Sequence, residues 1–488
     1  MRIPVRKTFV VLLFIGIFLM TLRPIGDADF WWHLRTGQLI ASTGAIPHAD
    51  PFSFTFAEKP WTAHEWLSEL FLFSLYQIGG FPILIIVFSL IITATFLLLY
   101  LRSTSNVYIS GFILLLGVIS TAPIWGVRPQ ILTFLFSSLF LFLLEQFYKN
   151  HKLKWILPLP ILTILWVNLH AGYAMGLVII AVYYFCQLLE WVWSQISGSG
   201  EEHRLKEFIP PGIILVASLL GVMLNPNGPR MYIYPFETLT SPSMQQFIQE
   251  WFSPDFHQKE WQPYALLLIS MPVIAIFGRG AKIKLARVAL VFIFGYMALR
   301  SMRNIPLFIL SAVPVMIDLA DAALQSTKQA LSSKLSSGYA PPPTMPRIFH
   351  TILIVSAILL SAGRFLMVID EQAITEKEKF PAAAVDWVVE NRPPGNIYNT
   401  YGWGGYLIWR LPDYPIYIDG RADLYGDRFI ESYIQTYNAQ SGWEENLANN
   451  NVNLVLVENG SGIGNALKQT LGWELVFDNE SALLFQRK

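Results

Sequence analysis

Residues 23–69, RPIGDADFWWHLRTGQLIASTGAIPHADPFSFTFAEKPWTAHEWLSE, form a polar stretch between two apolar segments near the N-terminus. Acidic and histidine side chains lie among many aromatic ones in this stretch, and they include Asp27, Asp29, His33, His48, Asp50, His64, Glu65 and Glu69. Long apolar segments make up most of the chain that follows. The apolar segments therefore decide the class of fold, and the polar stretch is where chemistry is expected.

The composition is that of a membrane protein. Hydrophobic residues make up 53% of the 488 residues, charged residues make up 14%, and the mean hydropathy is +0.44. Soluble domains carry about 25% charged residues, so we predict a polytopic α-helical membrane protein. The net charge of +0 argues against nucleic acid as a partner. The single cysteine, Cys186, excludes a disulfide or a cysteine metal cluster within one chain.

Apolar segments of membrane-spanning length recur along the chain. A helix needs about 20 apolar residues to cross the hydrocarbon, and about eleven candidate segments approach this length. They lie near residues 8–22, 82–101, 107–121, 130–147, 155–168, 173–193, 209–224, 263–278, 288–299, 305–322 and 348–368. The first ends in LRPIGDAD without a small-residue cleavage site, so we interpret it as a retained transmembrane helix rather than a signal peptide.

The distribution of lysine and arginine predicts the orientation, because these residues are enriched in cytoplasmic loops. A cytoplasmic N-terminus places the basic loops 149–154, 201–208 and 279–287 inside, together with the Ser/Pro-rich connector 332–347. The first loop, 23–81, and the C-terminal region then lie on the extracytoplasmic side. The sequence thus predicts an integral protein of the plasma (inner) membrane with an unusually polar outer face.

The C-terminal region has the composition of a soluble domain. Short apolar runs such as NIYN, PIYID, VNLVLVE and ALLFQR alternate with helical patterns after residue 368. Alternating strands and helices are typical of an α/β domain. We therefore predict a transmembrane region at 1–368 and a small extracytoplasmic α/β domain at 369–488.

Asp27 and Asp29 leave the first predicted helix with one residue between them. Two such carboxylates can share a divalent cation, or one can act as a general base while the other orients it. A solvated helix end would give the same pattern. The aromatic residues at 30–32 suit a membrane interface and favour a functional role for the pair.

His64 and Glu65 open a second predicted helix, which runs through 70–76. A carboxylate near a helix N-terminus is favoured by the helix dipole, so a structural and a catalytic role for Glu65 both fit. The motif is not the HExxH zinc motif, because Ser68, which Glu69 follows, occupies the position of the second histidine.

The other predicted outer loops carry polar residues at helix ends. Arginine binds phosphate in bidentate fashion, so Arg128, Arg300 and Arg303 predict a phosphate or pyrophosphate site, with lipid headgroup anchoring as the alternative. Asn168 and His170 lie between two apolar segments, where polar side chains are costly. They have either a role in the site or a role in satisfying the turn.

These features together resemble the GT-C superfamily of polytopic glycosyltransferases. That superfamily includes protein O-mannosyltransferases, the oligosaccharyltransferase catalytic subunit and aminoarabinose transferases, and an acidic motif follows the first helix in its members. The segments GDADFWWH at 26–33, WVNLHAGY at 166–173, NPNGP at 225–229 and YGWGGYLIW at 401–409 also look like those of a group of bacterial membrane proteins placed near it. The acidic motif differs from the DE pair of the mannosyltransferases.

The resemblance implies inverting transfer of a sugar from a polyprenyl-phosphate-linked donor to a lipid, glycan or protein acceptor on the extracytoplasmic face. It implies that Asp29 or Asp27 is a general base or binds Mg²⁺ or Mn²⁺, with Glu65 assisting. The candidate substrate-binding residues are then Arg128, Arg300, Arg303, His64, Asn168 and His170.

Two other functions fit the composition. One is a transporter or flippase of a lipid-linked or anionic solute, and the other is a non-catalytic subunit of polysaccharide assembly. A transporter predicts charged residues along a path through the membrane, whereas Glu145, Glu190, Asp318 and Asp321 lie at predicted helix ends. The sequence has no Walker loop and no GxSxG motif, so a nucleotide-driven pump or an α/β-hydrolase has no support.

Overall fold

The computed structural model describes residues 2–103, 105–197, 208–332 and 343–488, and the side chains of these residues except 328–332. Most of the loop predicted at 201–208 and most of the connector 332–347 lie outside the described residues. The end of the connector forms a short strand, β2 (Thr344–Pro346), which pairs antiparallel with β1 (Arg2–Pro4).

Helices dominate the first part of the described chain. They are α1 (Val5–Thr21), α2 (Phe30–Thr43), α3 (Trp66–Leu101), α4 (Val107–Thr121), α5 (Gln130–Asn150), α6 (Leu159–Val167), α7 (Tyr173–Ser197), α8 (Ile209–Gly221), α9 (Tyr234–Thr240), α10 (Pro242–Phe247), α11 (Gln262–Phe277), α12 (Leu285–Arg300), α13 (Ile305–Ser332) and α14 (Arg347–Lys379). The polar stretch of the first loop is therefore not irregular, because it contains α2 and the beginning of α3.

Seven segments of the described chain are long and apolar enough to cross a membrane, judged by length and composition. They contain α3, α4, α5, α7, α11, α13 and α14. Two shorter apolar segments, Leu153–Val167 and Ile209–Leu224, contain α6 and α8. The predicted number of eleven spans is not confirmed by this criterion, because α1 and α12 have only 17 and 16 residues.

The helix that begins at the HEW motif is longer than predicted. The helix expected at 70–76 and the span expected at 82–101 belong to one element, α3, which is interrupted at Gly79 and Gly80. Gly80 has a φ of 63°, which a residue with a side chain rarely adopts, and Pro82 follows it. The break lets one helix serve both as the end of the polar loop and as an apolar span.

The C-terminal region forms a four-stranded mixed sheet with helices packed against it. Its elements are α15 (Ala382–Asn391), β3 (Asn396–Asn399), α16 (Gly404–Arg410), α17 (Ala422–Tyr437), α18 (Trp443–Asn449), β4 (Val452–Glu458), α19 (Gly462–Leu467), β5 (Trp473–Asp478) and β6 (Ala482–Arg487). The strand order is β3-β4-β6-β5, with β3 parallel to β4 and the other pairs antiparallel. Helix α14 runs without a break through residue 368, where the composition changes.

The first loop is fixed to the C-terminal region by a buried ion cluster around Arg421. Its guanidinium Nη2 lies 2.8 Å from Asp50 Oδ1 and 2.7 Å from Asp419 Oδ2, and its Nε donates to Asp419 Oδ1 at 2.8 Å. The rings of Phe52 and Trp61 lie over the same group, at 5.1 and 4.6 Å. Arg421 is only 1% exposed, so the loop and the C-terminal region are joined by charges that water does not screen.

The aromatic run at 30–32 lies inside the protein rather than at a membrane interface, so that expectation was wrong. Trp31 is 1% exposed and packs edge-on against Phe81, Phe380 and Tyr406. At Gly37 a Cβ would come within 2.1 Å of the Glu69 carbonyl oxygen, so α2 lies directly against α3. Close packing in an aromatic core therefore fixes the direction in which α2 leaves Asp29.

A second buried ion cluster joins the helices at the other end of the bundle. Glu145 of α5 accepts hydrogen bonds from Arg102 at 2.8 and 3.1 Å and from Arg287 of α12 at 2.8 and 2.9 Å. Arg287 also donates to Asp318 of α13 at 2.6 Å. These charges are paired within the protein, as buried charges must be.

We expect Arg421→Ala to destabilise the protein by about 3–5 kcal/mol, because it leaves Asp50 and Asp419 buried and unpaired. Thermal unfolding in detergent and limited proteolysis of the first loop measure the effect. Arg410→Ala is the matched control, since Arg410 is 32% exposed and pairs with Glu376 and Asp386. Its loss is expected to cost less than about 1 kcal/mol. Equal effects of the two variants would contradict the prediction.

Candidate active site

The acidic pair Asp27 and Asp29 lies where the chain enters α2. The backbone N–H of Asp29 donates to Asp27 Oδ1 at 3.0 Å, and the indole N–H of Trp32 donates to Asp29 Oδ1 at 3.2 Å. The Asp27 and Asp29 side chains are 20% and 29% exposed. Each carboxylate is thus held by one hydrogen bond and remains accessible from one side.

Arg128, in the turn between α4 and α5, is shared by three carboxylates. Its Nη2 donates to Glu250 Oε2 at 2.7 Å, its Nε lies 3.4 Å from Asp27 Oδ2, and its Nη1 lies 3.9 Å from Asp29 Oδ2. Arg303 approaches Glu250 as well, at 3.9 Å. The structure therefore brings Asp27, Asp29, Arg128 and Arg303 together, and Glu250 links them.

The surroundings shift the pKa values of Asp29 and Glu250 in opposite directions. Burial, followed by the negative charges of Asp27 and Glu250, raises the pKa of Asp29 to about 8, against the opposing effect of Arg128. Burial also disfavours the charged form of Glu250, but Arg128 and Arg303 outweigh it and lower the pKa of Glu250 to about 2. Glu250 is thus a permanent anion, whereas Asp29 can take and release a proton near neutral pH.

A divalent cation does not fit this arrangement of donors. Asp27 Oδ1 and Asp29 Oδ1 already accept hydrogen bonds, and the remaining oxygen of each faces the guanidinium of Arg128, which is itself a cation. Among the residues that the structure describes, no group of three or more His, Cys, Asp and Glu side chains could hold a metal ion. The Mg²⁺ or Mn²⁺ expected at Asp27 and Asp29 therefore finds no suitable ligand set here.

Glu65 lies at the centre of a second, histidine-rich cluster beside this site. Its carboxylate oxygens lie 3.0 Å from His64 Nε2, 3.5 Å from His170 Nε2 and 3.6 Å from His33 Nε2. The other ring nitrogen of His33 lies 3.4 Å from Glu69 Oε1. The candidates Glu65, His64 and His170 are thus in contact, and His33 and Glu69 complete a cluster that the sequence did not predict.

The hydrogen bonds of His170 define its neutral tautomer. Its Nδ1 accepts from the backbone N–H of Gly172 at 2.9 Å and lies 2.8 Å from Thr133 Oγ1, so its proton is on Nε2, which faces Glu65. Gly172 is required for this approach, because a Cβ there would come within 2.1 Å of Thr133 Oγ1. Burial lowers the pKa of His170 to about 4, which keeps the ring neutral.

His33 and His64 are affected in opposite directions. Burial lowers the pKa of His33 to about 3, despite the attraction of Glu65. Burial acts in the same sense on His64, but the adjacent Glu65 charge outweighs it and raises the pKa of His64. Glu65 is correspondingly kept ionised, because its histidine neighbours overcome its burial and lower its pKa. His64 and Glu65 are therefore the ion pair of the cluster.

Two of the predicted site residues, Arg300 and Asn168, do not contact Asp27 or Asp29. Arg300 is exposed and donates to Gln245 Oε1 at 2.9 Å, so it does not share Glu250 with Arg128 and Arg303. Asn168 is buried, accepts from the indole N–H of Trp66 at 2.8 Å and donates to the Ile164 carbonyl at 2.8 Å. The hydrogen bonds of Asn168 thus satisfy the turn between α6 and α7.

The C-terminal region covers the acidic pair. At Gly420 a Cβ would come within 1.9 Å of Asp29 Oδ1, and Tyr401 donates to the Gly420 carbonyl at 3.2 Å. Asp423 accepts from Tyr234 at 2.9 Å, and the Tyr234 ring lies 4.3 Å from that of His64. No local pattern in the sequence indicated the contacts of Gly420 with Asp29 and of Tyr234 with Asp423 and His64, because the partners in each are more than 150 positions apart.

We expect Glu65→Gln to lower the stability by about 1.5–3 kcal/mol near pH 6, because the charged partner of His64 is removed. The raised pKa of His64 means that the pair contributes fully below about pH 6.5 and less as the pH rises through the folded-state value. The lowered pKa of Glu65 preserves the contribution down to about pH 4.3.

The melting temperatures of the wild type and of Glu65→Gln should therefore differ most at about pH 5–6.5 and converge at alkaline pH. Glu237→Gln is the control, since Glu237 pairs with Arg230 on the surface. A difference between wild type and Glu65→Gln that stays constant across this pH range would contradict the prediction.

Solved structures share this architecture. One is the archaeal oligosaccharyltransferase AglB from Archaeoglobus fulgidus in complex with an inhibitory peptide and a dolichol-phosphate, with 11% identity and a TM-score of 0.57 over 93% of this chain and 69% of that one. ArnT from Cupriavidus metallidurans bound to undecaprenyl phosphate has 12% identity and a TM-score of 0.50, over 99% and 97% of the chains. Its apo state has 13% identity and a TM-score of 0.52, over 98% of both chains.

No family model and no curated protein matches the sequence. The similarity is therefore one of structure, and it extends over nearly the whole chain. AglB and ArnT are GT-C glycosyltransferases. The chain therefore shares its fold with AglB and ArnT.

Proposed function

We propose that this protein is a membrane glycosyltransferase that moves a sugar from a polyprenyl-phosphate-linked donor to an acceptor on the extracytoplasmic face. The observation that carries the proposal is Asp29, a partly exposed carboxylate of raised pKa that lies beside Arg128 in the first loop. The shared fold and the dolichol-phosphate and undecaprenyl phosphate bound to AglB and ArnT support the class of donor.

In the proposed reaction an acceptor hydroxyl attacks the anomeric carbon of the donor sugar. Asp29, oriented by Trp32 and by the backbone contact to Asp27, takes the hydroxyl proton as the new C–O bond forms. The bond between the anomeric carbon and the phosphate oxygen breaks, and the polyprenyl phosphate leaves with its electron pair. Attack opposite the leaving group inverts the anomeric configuration.

Arg128 and Arg303 stabilise the phosphate that departs, with Arg300 at the outer edge of the same face. Guanidinium groups match phosphate oxygens, and the surrounding low dielectric strengthens the contact. Glu65 assists by holding His64 in its charged form beside the acceptor, and the Nε2–H of neutral His170 faces the same carboxylate. In this proposal Asn168 supports substrate binding through its position in the α6–α7 turn.

A cavity beside the acidic pair supports a lipid-borne substrate. It encloses about 550 Å³, is lined by Asp27 and by Gly126 and Val127 just before Arg128, and lies between α1, α3 and α14. Its lining combines apolar side chains with charged ones of both signs, and it includes Ile85, Phe88, Ile92, Arg23, Arg364, Glu378 and Lys379. A volume and lining of this kind suit an amphiphile whose chain lies among the helices.

The proposed orientation has the N-terminus in the cytoplasm and the α/β domain of the C-terminal region outside. The seven apolar spans, with α1, α6, α8 and α12, would then form the eleven segments predicted from the sequence. The excess of lysine and arginine in the loops that this orientation places in the cytoplasm supports it.

We expect Asp29→Asn to reduce transfer by about 10²–10⁴-fold, as removal of a general base does. The measurement uses cells that lack the protein, either uncomplemented or complemented with wild type, Asp29→Asn, Asp27→Asn or the double variant. Polyprenyl-phosphate-linked sugars are extracted from the membranes of each strain and quantified. The donor should accumulate in the uncomplemented and Asp29→Asn membranes and return to a low level with the wild type. Asp255→Asn, at an exposed loop carboxylate, is the control.

Full complementation by both single variants and by the double variant would refute the proposed mechanism. Equal amounts of protein and equal melting temperatures are required for each comparison. Absence of any accumulated lipid-linked sugar in cells without the protein would refute the proposed class of donor.

The pH dependence provides a separate test of the base. Asp29 must be ionised to accept a proton, so kcat/KM should rise about tenfold per pH unit and level off above about pH 8. Initial rates of transfer in reconstituted vesicles between pH 6 and 9 measure the profile. A profile that is flat or that falls over this range is inconsistent with Asp29 as the base.

A further inference from the structure

The two partly buried arginines that the proposed function assigns to the donor phosphate, Arg128 and Arg303, converge on one carboxylate. Glu250 Oε2 accepts from Arg128 Nη2 at 2.7 Å, and Glu250 Oε1 lies 3.9 Å from Arg303 Nη1. The two oxygens of one anionic group thus face two guanidinium groups from different loops. A phosphate bound between two arginines makes contacts of the same kind.

The backbone near Glu250 is tied to the segment that carries Arg303. Ser301 Oγ donates to the Glu250 carbonyl at 3.0 Å, and the Met302 N–H donates to the Phe252 carbonyl at 2.9 Å. The Arg303 guanidinium also lies over the Trp251 ring at 4.5 Å. The side chain of Glu250 is 29% exposed, so it can leave the arginines while its backbone stays in place.

The charges around Arg128 and Arg303 disfavour the binding of a further anion while Glu250 is in place. Asp27, Asp29 and Glu250 surround Arg128, and among the described residues Arg303 adds the second positive charge, in contact with Glu250. A phosphate that joined the two arginines with Glu250 still present would be repelled by it. Arg128 Nε makes no hydrogen bond among the described residues, and its nearest anionic atom is Asp27 Oδ2 at 3.4 Å.

We propose that Glu250 is an internal anion that occupies the phosphate-binding place of Arg128 and Arg303 until the donor displaces it. The inference rests on the proposed function, because it assumes that these arginines receive the donor phosphate. Glu250 keeps the two guanidinium groups in position in the free protein, and it excludes anions that bind too weakly to displace it. The apparent dissociation constant for the donor equals the intrinsic constant divided by the fraction of time that Glu250 leaves the arginines free.

The test measures binding of a polyprenyl monophosphate to the full-length protein in phosphatidylcholine nanodiscs. Glu250→Gln removes the competing charge, so we expect the dissociation constant to fall about tenfold. Arg303→Gln removes a phosphate contact, so we expect it to rise about tenfold. Glu237→Gln, at the surface pair with Arg230, should leave it unchanged.

A gain of affinity separates the proposal from a structural role, because a variant that folds poorly does not bind more tightly. Glu250→Asp is the second variant, and its shorter side chain should give a smaller decrease in the dissociation constant. Inorganic phosphate is titrated in parallel. A tightening in E250Q for both ligands would identify the phosphate group alone as the competitor, and a tightening for the lipid only would show that the chain is needed.

Unchanged or weaker lipid binding by both Glu250 variants, with weaker binding by Arg303→Gln, would overturn the proposal and leave the proposed phosphate site standing. Unchanged binding by Arg303→Gln and by Arg128→Gln would place the phosphate elsewhere, and both the inference and the proposed role of the arginines would fail.

Discussion

The candidate site depends on one guanidinium group in a poorly solvated place. Arg128 is held by carboxylates from two distant parts of the chain, Asp27 and Asp29 in the first loop and Glu250 before α11. Attraction between such charges is strong where water is scarce, but an excess of one sign is costly there. The site has one more carboxylate than Arg128 and Arg303 can neutralise. The charged form is therefore disfavoured at the most weakly paired carboxylate, Asp29, and its pKa is raised.

The C-terminal region packs against the first loop and so supports the candidate site. Arg421 joins Asp419 to Asp50 of the first loop, and Gly420 lies against the Asp29 carboxylate so closely that only a glycine fits. The first loop is thus held between the helices and the mixed sheet. This explains how a long polar segment between two apolar helices keeps a fixed conformation without a disulfide.

The two clusters of the first loop have different chemistry although they are neighbours. Asp27 and Asp29 face the guanidinium of Arg128, which is always charged. Glu65 is instead surrounded by three imidazole rings, whose protonation depends on burial. His64 becomes the charged partner, and His170 remains neutral because Gly172 and Thr133 occupy its Nδ1. Burial thus keeps the rings of His33 and His170 neutral beside the charged pair of His64 and Glu65.

The sequence by itself determined the membrane class, because only 14% of the residues are charged and long apolar segments recur along the chain. It also predicted Asp27, Asp29 and Arg128 as candidate site residues, because an acidic pair follows the first apolar segment and arginine binds phosphate. The structure brings the three side chains together, and their roles stay predictions. Only the tertiary structure revealed Glu250 and the cover at Gly420, and only it showed that the aromatic run at 30–32 is core. Those features depend on contacts between residues far apart in the chain, and such contacts leave no periodic or local signal in a single sequence.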